Sequence, residues 1–282
     1  IRAAAPALSK SLGTNVVVEN QAGASGVIGL QSLAKSAPDG FTLSVVSNNV
    51  VIFPSVMKAL PFDMPGDFTP IAVIGSTPMV LVVNPQRVNA SNSKEFISSL
   101  KAKPDGYNFG SGGTGTILHL AGEMFLDEAK ASAKHIPYKG VGPMVTDLIG
   151  GQVDLMCDQT TNTTSQIEAK TIKAFAVTTP KRLTTPSLKD LPTMDESGLK
   201  GFEVTIWHGL YAPKGTSADV LSKISSALKT ALKDPEFVKK QQALGAVVVT
   251  DKRIEPAEHR KFVQAEIDKW GPIIKAAGVY AD

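Results

Sequence analysis

The sequence predicts an α/β protein of two lobes, each a mostly parallel sheet flanked by helices. Three observations point there. Short apolar runs alternate with amphipathic segments of ~10–15 residues throughout the chain. A Pro-Asp-Gly turn introduces a strand twice, at Pro38-Asp39-Gly40 and Pro104-Asp105-Gly106, and each strand ends in a polar loop. The second of those loops, Ser111–Thr116, is rich in glycine and hydroxyls and lies between a strand and a helix start. Parallel sheets bind ligands at such strand ends.

Taken in order, Ile1–Leu12 reads as a helix closed by Gly13, and Val16–Glu19 as a β-rich run. Gly26–Ala37 carries Val27, Leu30, Leu33 and Ala34 on one helical face. Phe41–Ser47 is a short strand ending in the loop Ser47-Asn48-Asn49. Ile71–Ile74 and Val80–Val83 read as two further buried strands, and Ser93–Lys101 as a helix stopping before Pro104. Tyr107–Gly110 is a strand, followed by the glycine-rich loop and a helix from Ile117 to Phe125. Ile136–Tyr138 is a strand, Gly142–Leu148 a helix, Val153–Cys157 a strand ending at Asp158, and Ala174–Val177 another strand. Residues 180–203, rich in Pro, Thr and Asp, form a long excursion. Val204–Ala212 is a strand holding Trp207 and His208.

Helices then dominate. Ser217–Lys233 aligns Val220, Leu221, Ile224, Leu228 and Leu232 on one stripe. Asp234-Pro235 starts Glu236–Leu244, with proline at a first-turn position and Gly245 as its stop. Pro256–Ala277 is the last helix, with a kink expected at Gly271-Pro272. The expected division is residues 1–82 plus 207–282 for the first lobe and 83–206 for the second, with the ligand cleft between them.

Composition narrows the function. A net charge of +3 with scattered basic residues leaves no stripe suited to nucleic acid. The apolar runs are too short to span a bilayer, which takes ~20 residues. The single cysteine, Cys157, rules out an internal disulfide and a cysteine metal cage; it reads as a small buried hydrophobe. Four histidines, His119, His135, His208 and His259, show no metal-ligand spacing with one another, and there is no GxSxG elbow. Neither a catalytic cluster nor a cofactor is called for, so an enzyme is not expected.

The loop Ser111, Gly112, Gly113, Thr114, Gly115, Thr116 is the main candidate site. Backbone N–H groups at a helix start, at the positive end of its dipole, hold anions. No Gly-Lys-Ser/Thr follows, so it is not a P-loop. A tight turn that needs left-handed glycines explains the same letters. Ser111, Thr114 and Thr116 are donors to a carboxylate, or hydroxyls tied up in local backbone bonds. Ser47 and Asn48 occupy the corresponding loop of the other lobe. His119, four residues before Glu123, is half of a metal pair or a buried hydrogen-bonded histidine. Lys139 pairs with a second carboxylate or is solvated. Asp158 receives an amine or hydroxyl of the ligand or caps the loop after it. Trp207 packs on the ligand or fills the hinge.

The blocks VVVENQAGASGVIG, APDGFTL, HIPYKGVGPMVTDLIGGQVDLMCD, LPTMDESGLKGFEVTIWHGLYAPKGT and EIDKWGPIIKAAGV resemble the tripartite tricarboxylate transporter substrate-binding proteins, the family of the Bordetella uptake gene (Bug) receptors. The resemblance runs over essentially the whole chain. It implies a two-lobed periplasmic-binding-protein fold of type II, the Venus flytrap, and a monomer in the periplasm. It implies capture of a small carboxylate (a dicarboxylate, tricarboxylate, aromatic carboxylate or acidic amino acid) and its delivery to a two-component membrane permease. A receptor feeding a two-component signalling system is the alternative. By the same resemblance, Ser111–Thr116 with nearby His119 is half of the carboxylate surface. His208 stands where the family often has an aromatic residue, which implies an extra donor for a distal polar group or a substitution in the hinge. The family's mature chain begins with a strand and a Pro-Gly-Gly loop ahead of a helix. This chain is expected to start inside that helix, with its signal peptide removed or absent.

Overall fold

The computed structural model describes residues 1–278; Val279, the last residue of the terminal block, lies outside them. In chain order the helices are α1 (Ala5–Leu12), α2 (Val27–Ala34), α3 (Asn49–Val56), α4 (Ser93–Ala102), α5 (Ile117–Glu128), α6 (Val141–Gly150), α7 (Thr160–Glu168), α8 (Ala218–Leu232), α9 (Pro235–Ala243) and α10 (Pro256–Ala277). The strands are β1 (Ser44–Ser47), β2 (Phe68–Val83), β3 (Asn108–Ser111), β4 (Lys134–Pro137), β5 (Leu155–Gln159), β6 (Lys173–Val177), β7 (Thr205–Pro213) and β8 (Val247–Val248).

The chain divides into two compact units. The first comprises Ile1–Ser76, Trp207–Ala243 and the chain from Val247 onward; the second comprises Thr77–Ile206 and Leu244–Ala246. The first crossing lies inside β2, not after residue 82. What reads as two strands, Ile71–Ile74 and Val80–Val83, is one strand of 16 residues. Gly75, Ser76, Thr77 and Pro78 look like a break in sequence, yet the backbone stays extended through them.

In the first unit, β1 lies antiparallel to β7, with Ser47 opposite His208, and β2 lies antiparallel to β8. Gly75 is required there: a Cβ on it would stand 2.8 Å from the Val247 carbonyl oxygen. The core gathers Leu8 from α1, Ile71 and Ile74 from β2, Leu210 and Ala212 from β7, and Ile224, Leu228 and Leu232 from α8. The α8 residues lie on the predicted stripe. Its Ser217 N-cap accepts from the Val220 N–H. Three readings need correction here. Val16–Glu19 forms no strand; Val17 is 73% exposed, so the β-rich run has no partner to pair with among the described residues. The strand after Gly40 begins only at Ser44, leaving Phe41 88% exposed. Asn49 does not belong to a loop but opens α3, whose Val50, Val51, Ile52, Phe53 and Val56 are all buried. α10 continues through Gly271 and Pro272 as one helix.

In the second unit the sheet runs β4-β3-β5-β2-β6. β3 is parallel to β4 and β5, while β2 is antiparallel to β5 and β6. Apart from β2, then, this sheet is parallel, while the first unit's pairs are antiparallel. Phe96 of α4 organises the core, stacking on Phe125 and tilting against Phe175. A capping box starts α4: Asn92 accepts from the Glu95 N–H, and Glu95 accepts from the Ser91 N–H. The 180–203 excursion is tied down where Val177 exchanges backbone hydrogen bonds with Pro192 and Met194.

Candidate functional site

Three strands of the second unit run parallel and end on the same edge of its sheet, and each feeds a helix. β3 leads through the glycine-rich loop into α5, β4 through Tyr138–Gly140 into α6, and β5 directly into α7. Three helix N-termini therefore collect on one edge, each bringing the positive end of its dipole. The loops at Ser111–Thr116, Tyr138–Gly140 and Asp158–Thr161 converge there. The Tyr138 N–H donates to the Ser111 carbonyl at 3.0 Å and joins two of them. Lys139 is exposed and is the one basic side chain in these three loops.

The glycine-rich loop is held from within. Ser111 is buried, and its Oγ contacts the Gly113 N–H and Gly113 carbonyl at 3.2 Å each and His135 Nε2 at 2.7 Å. Thr116 Oγ1 donates to the Gly113 carbonyl at 2.7 Å and accepts from the His119 N–H as the N-cap of α5. The Gly115 N–H donates to His119 Nδ1 at 3.1 Å. So the Ser111 and Thr116 hydroxyls shape the loop, and Gly112 and Thr114 are its half-exposed members. Gly113 and Gly115 have φ values of +130° and +77°. Gly112 is not left-handed, and a Cβ on it would have 3.6 Å to its nearest neighbour. Gly112→Ala is therefore expected to change stability by no more than about 0.5 kcal/mol. Gly113→Val is expected to cost about 1–3 kcal/mol and to displace the loop. Denaturant midpoints of the two variants check this, and equal midpoints would contradict it.

His119 is buried, and its Nδ1 accepts a hydrogen bond from the Gly115 N–H, so Nε2 carries the ring hydrogen toward Glu123 Oε1 at 3.4 Å. Its ring stacks on His135 at 3.9 Å with an interplanar angle of 12°. Burial, with His119 alongside, pushes the His135 pKa down to about 4, so His135 sits neutral beneath the loop. The sequence reading did not single out His135 as a site residue. The signal lies in register: it faces Phe109 across the β3–β4 pair, and its ring tilts against that phenyl at 5.0 Å. Among the described residues no three His, Cys, Asp or Glu side chains gather to hold a metal.

Asp158 is the last but one residue of β5 and is fully buried. Its Oδ1 accepts from the Gln159 N–H at 2.7 Å and from Asn162 Nδ2 at 3.1 Å, while Oδ2 has no hydrogen-bond partner among the described residues. Burial raises its pKa to about 7 against those two bonds.

The remaining candidates belong to the first unit. Ser47 ends β1 and accepts from the Asn49 N–H at 3.5 Å; Asn48 is fully buried at the start of α3. His208, half-buried, faces Ser47 across the strand pair, and burial pushes its pKa down to about 4. Trp207 is buried against α10: its indole N–H donates to Glu266 Oε2 at 2.8 Å and its ring meets Phe262 edge-on at 5.1 Å. Its polar atom is thus spent within its own unit.

The family model described as the tripartite tricarboxylate transporter family receptor matches residues 1–279. Among solved structures, the periplasmic binding protein BugD is similar with a TM-score of 0.94 and 40% identity, over 100% of this chain and 93% of its own. MatC from Rhodopseudomonas palustris, solved with bound malate, has a TM-score of 0.88 and 30% identity over 97% of this chain and 92% of its own. Rpa4515 from R. palustris, solved with adipate, has a TM-score of 0.92 and 30% identity over 99% and 92%.

Proposed function

The chain belongs to the tripartite tricarboxylate transporter receptor family, and we propose that it is a periplasmic solute-binding protein that holds a small organic carboxylate and hands it to a two-component membrane permease. The observation that carries this reading is the convergence of the α5, α6 and α7 N-termini on one edge of the second unit's sheet. A carboxylate set there takes backbone N–H donors from helix starts and is neutralised mainly by dipoles, with Lys139 as the one formal positive charge in these loops. The bound malate of MatC and adipate of Rpa4515 support a ligand of this size and charge. The internal bonds of Ser111, Thr116 and His119 support a pre-formed loop, so that little ordering entropy is lost on binding.

Thermal shift and calorimetry against mono-, di- and tricarboxylates, aromatic carboxylates and acidic amino acids test the proposal. A ligand at a hundred times its Kd raises stability by about 2.7 kcal/mol. At least one small carboxylate is expected to do so and to be recovered chemically unchanged. A folded, ligand-free protein that responds to none of them would overturn the reading.

A further inference from the structure

A buried carboxyl oxygen without a partner is costly, and its persistence needs a reason. Asp158 Oδ2 is such an atom, and its position is specific. The residue is the last but one of β5, on the edge where the three helix starts converge, and its other oxygen is fixed by Gln159 and Asn162. The carboxyl group therefore cannot rotate to satisfy Oδ2 without giving up those two bonds. Around it, β2 presents Met79, Val80 and Leu81, and the first turn of α7 presents Thr160, Thr161, Asn162 and Thr163, none of them charged. Cys157 precedes it on β5, and His119 and Glu123 are the titratable groups in the first turns of α5, which packs on that strand. No lysine or arginine bonds to it among the described residues. Gln159, Thr161 and Asn162, which follow it, are half-exposed, so solvent reaches the segment just beyond the buried carboxyl.

We propose that Asp158 Oδ2 is a specificity-determining acceptor that reads a hydrogen-bond donor, a hydroxyl or an ammonium group, on the carboxylate ligand. The inference rests on the carboxylate reading above and adds a second polar requirement to it. The helix starts take the negative end; Asp158 takes a donor on the same molecule. A hydroxyl suits the site whether the Asp158 carboxyl is ionised or not, because it can donate to the anion and accept from the acid. An ammonium suits only the anion. A ligand lacking either leaves Oδ2 buried and unpaired in the complex, and sites of this kind reject such analogues strongly.

The test compares matched probes by calorimetry on the whole chain at pH 7.5: malate and aspartate, each against succinate, and citrate against tricarballylate. The wild type is expected to bind at least one donor-bearing member roughly 10–100-fold more tightly than its unsubstituted counterpart. Asp158→Asn keeps the oxygen that accepts from Gln159 and Asn162 but replaces Oδ2 with an NH2 that can only donate. For an ammonium-bearing probe its preference ratio is expected to collapse toward one, while a hydroxyl, which can accept from the new NH2, is expected to keep only part of its advantage; a near-native denaturation midpoint establishes that the fold survives. A wild type that binds both members equally, or an Asp158→Asn variant that keeps the wild-type ratio, overturns the inference while leaving the carboxylate reading intact. A wild type that binds no probe and no other carboxylate overturns both.

Discussion

Gly122→Ala is expected to lower the stability of the protein by about 3 kcal/mol, one of the largest single-residue effects in the molecule. Gly122 lies in the middle of α5, where alanine normally stabilises a helix by nearly 1 kcal/mol. Here a Cβ would stand 2.1 Å from Phe109 Cζ and 2.2 Å from Cε2. Phe109 is fully buried and cannot swing out. Its ring also faces His135 and His119, which hold Ser111 and Gly115 of the glycine-rich loop. The displacement should therefore reach the loop as well as the core, and carboxylate affinity should fall together with the melting temperature. The double variant Gly122→Ala with Phe109→Leu makes room for the methyl. It is expected to be more stable than the sum of the two single losses predicts, with a coupling of about 1 kcal/mol or more. Strictly additive losses in urea unfolding would show that the helix and the ring do not compete for this space.

The parts legible in the sequence are those governed by local chemistry. The stripe on α8, the proline-led start of α9 and the Thr116-led start of α5 follow from periodicity and capping, and each element forms where its residues require it. The glycine-rich loop was legible as a strand-to-helix turn, and Gly113 and Gly115 take the left-handed conformations that such a turn needs. What sequence could not supply depends on partners. α3 is apolar around most of its circumference and contains Pro54, so neither a clear polar face nor an unbroken run marks it as a helix; the burial of Val50, Val51, Ile52, Phe53 and Val56 makes it one. β2 spans Gly75 to Pro78 because its neighbours keep the backbone extended, which local propensity does not encode. The role of Ser111 turned on a residue twenty-four positions away, His135, brought beneath the loop by the parallel pairing of β3 with β4. Trp207 and His208 adjoin in sequence, but alternation along β7 sends one against α10 and sets the other opposite Ser47.

Acid is expected to destabilise the protein from about pH 6.5 downward, well above the range where surface carboxylates titrate. Burial holds His259 at about 3, and His135 and His208 at about 4, all below the unfolded value near 6.5. Above pH 6.5 these rings are neutral in both states and contribute nothing to the pH dependence. Below it the unfolded chain takes up protons that the folded chain refuses, so stability falls until the folded values are reached. His259 is fully buried, with Nε2 3.1 Å from the Tyr211 hydroxyl, and its share at pH 5 is about 2 kcal/mol. His135 and His208 are half-exposed and contribute less apiece. Asp158 acts in the opposite direction. Its folded value, about 7, lies above the unfolded value near 3.8, so between those limits the folded chain holds a proton that the unfolded chain releases, and acid favours folding there. Three histidines against one aspartate leave at most two net protons, a slope of no more than about 2.7 kcal/mol per pH unit near pH 5. Urea unfolding at pH 7, 6 and 5 measures that slope. Asp158→Asn removes the opposing proton and should steepen it, while His259→Leu removes one of the three and should flatten it. A slope that ignores both substitutions would mean that acid sensitivity arises elsewhere, and Asp251 cannot be the source, because Arg253 holds it at about 2 and it acts only below pH 4.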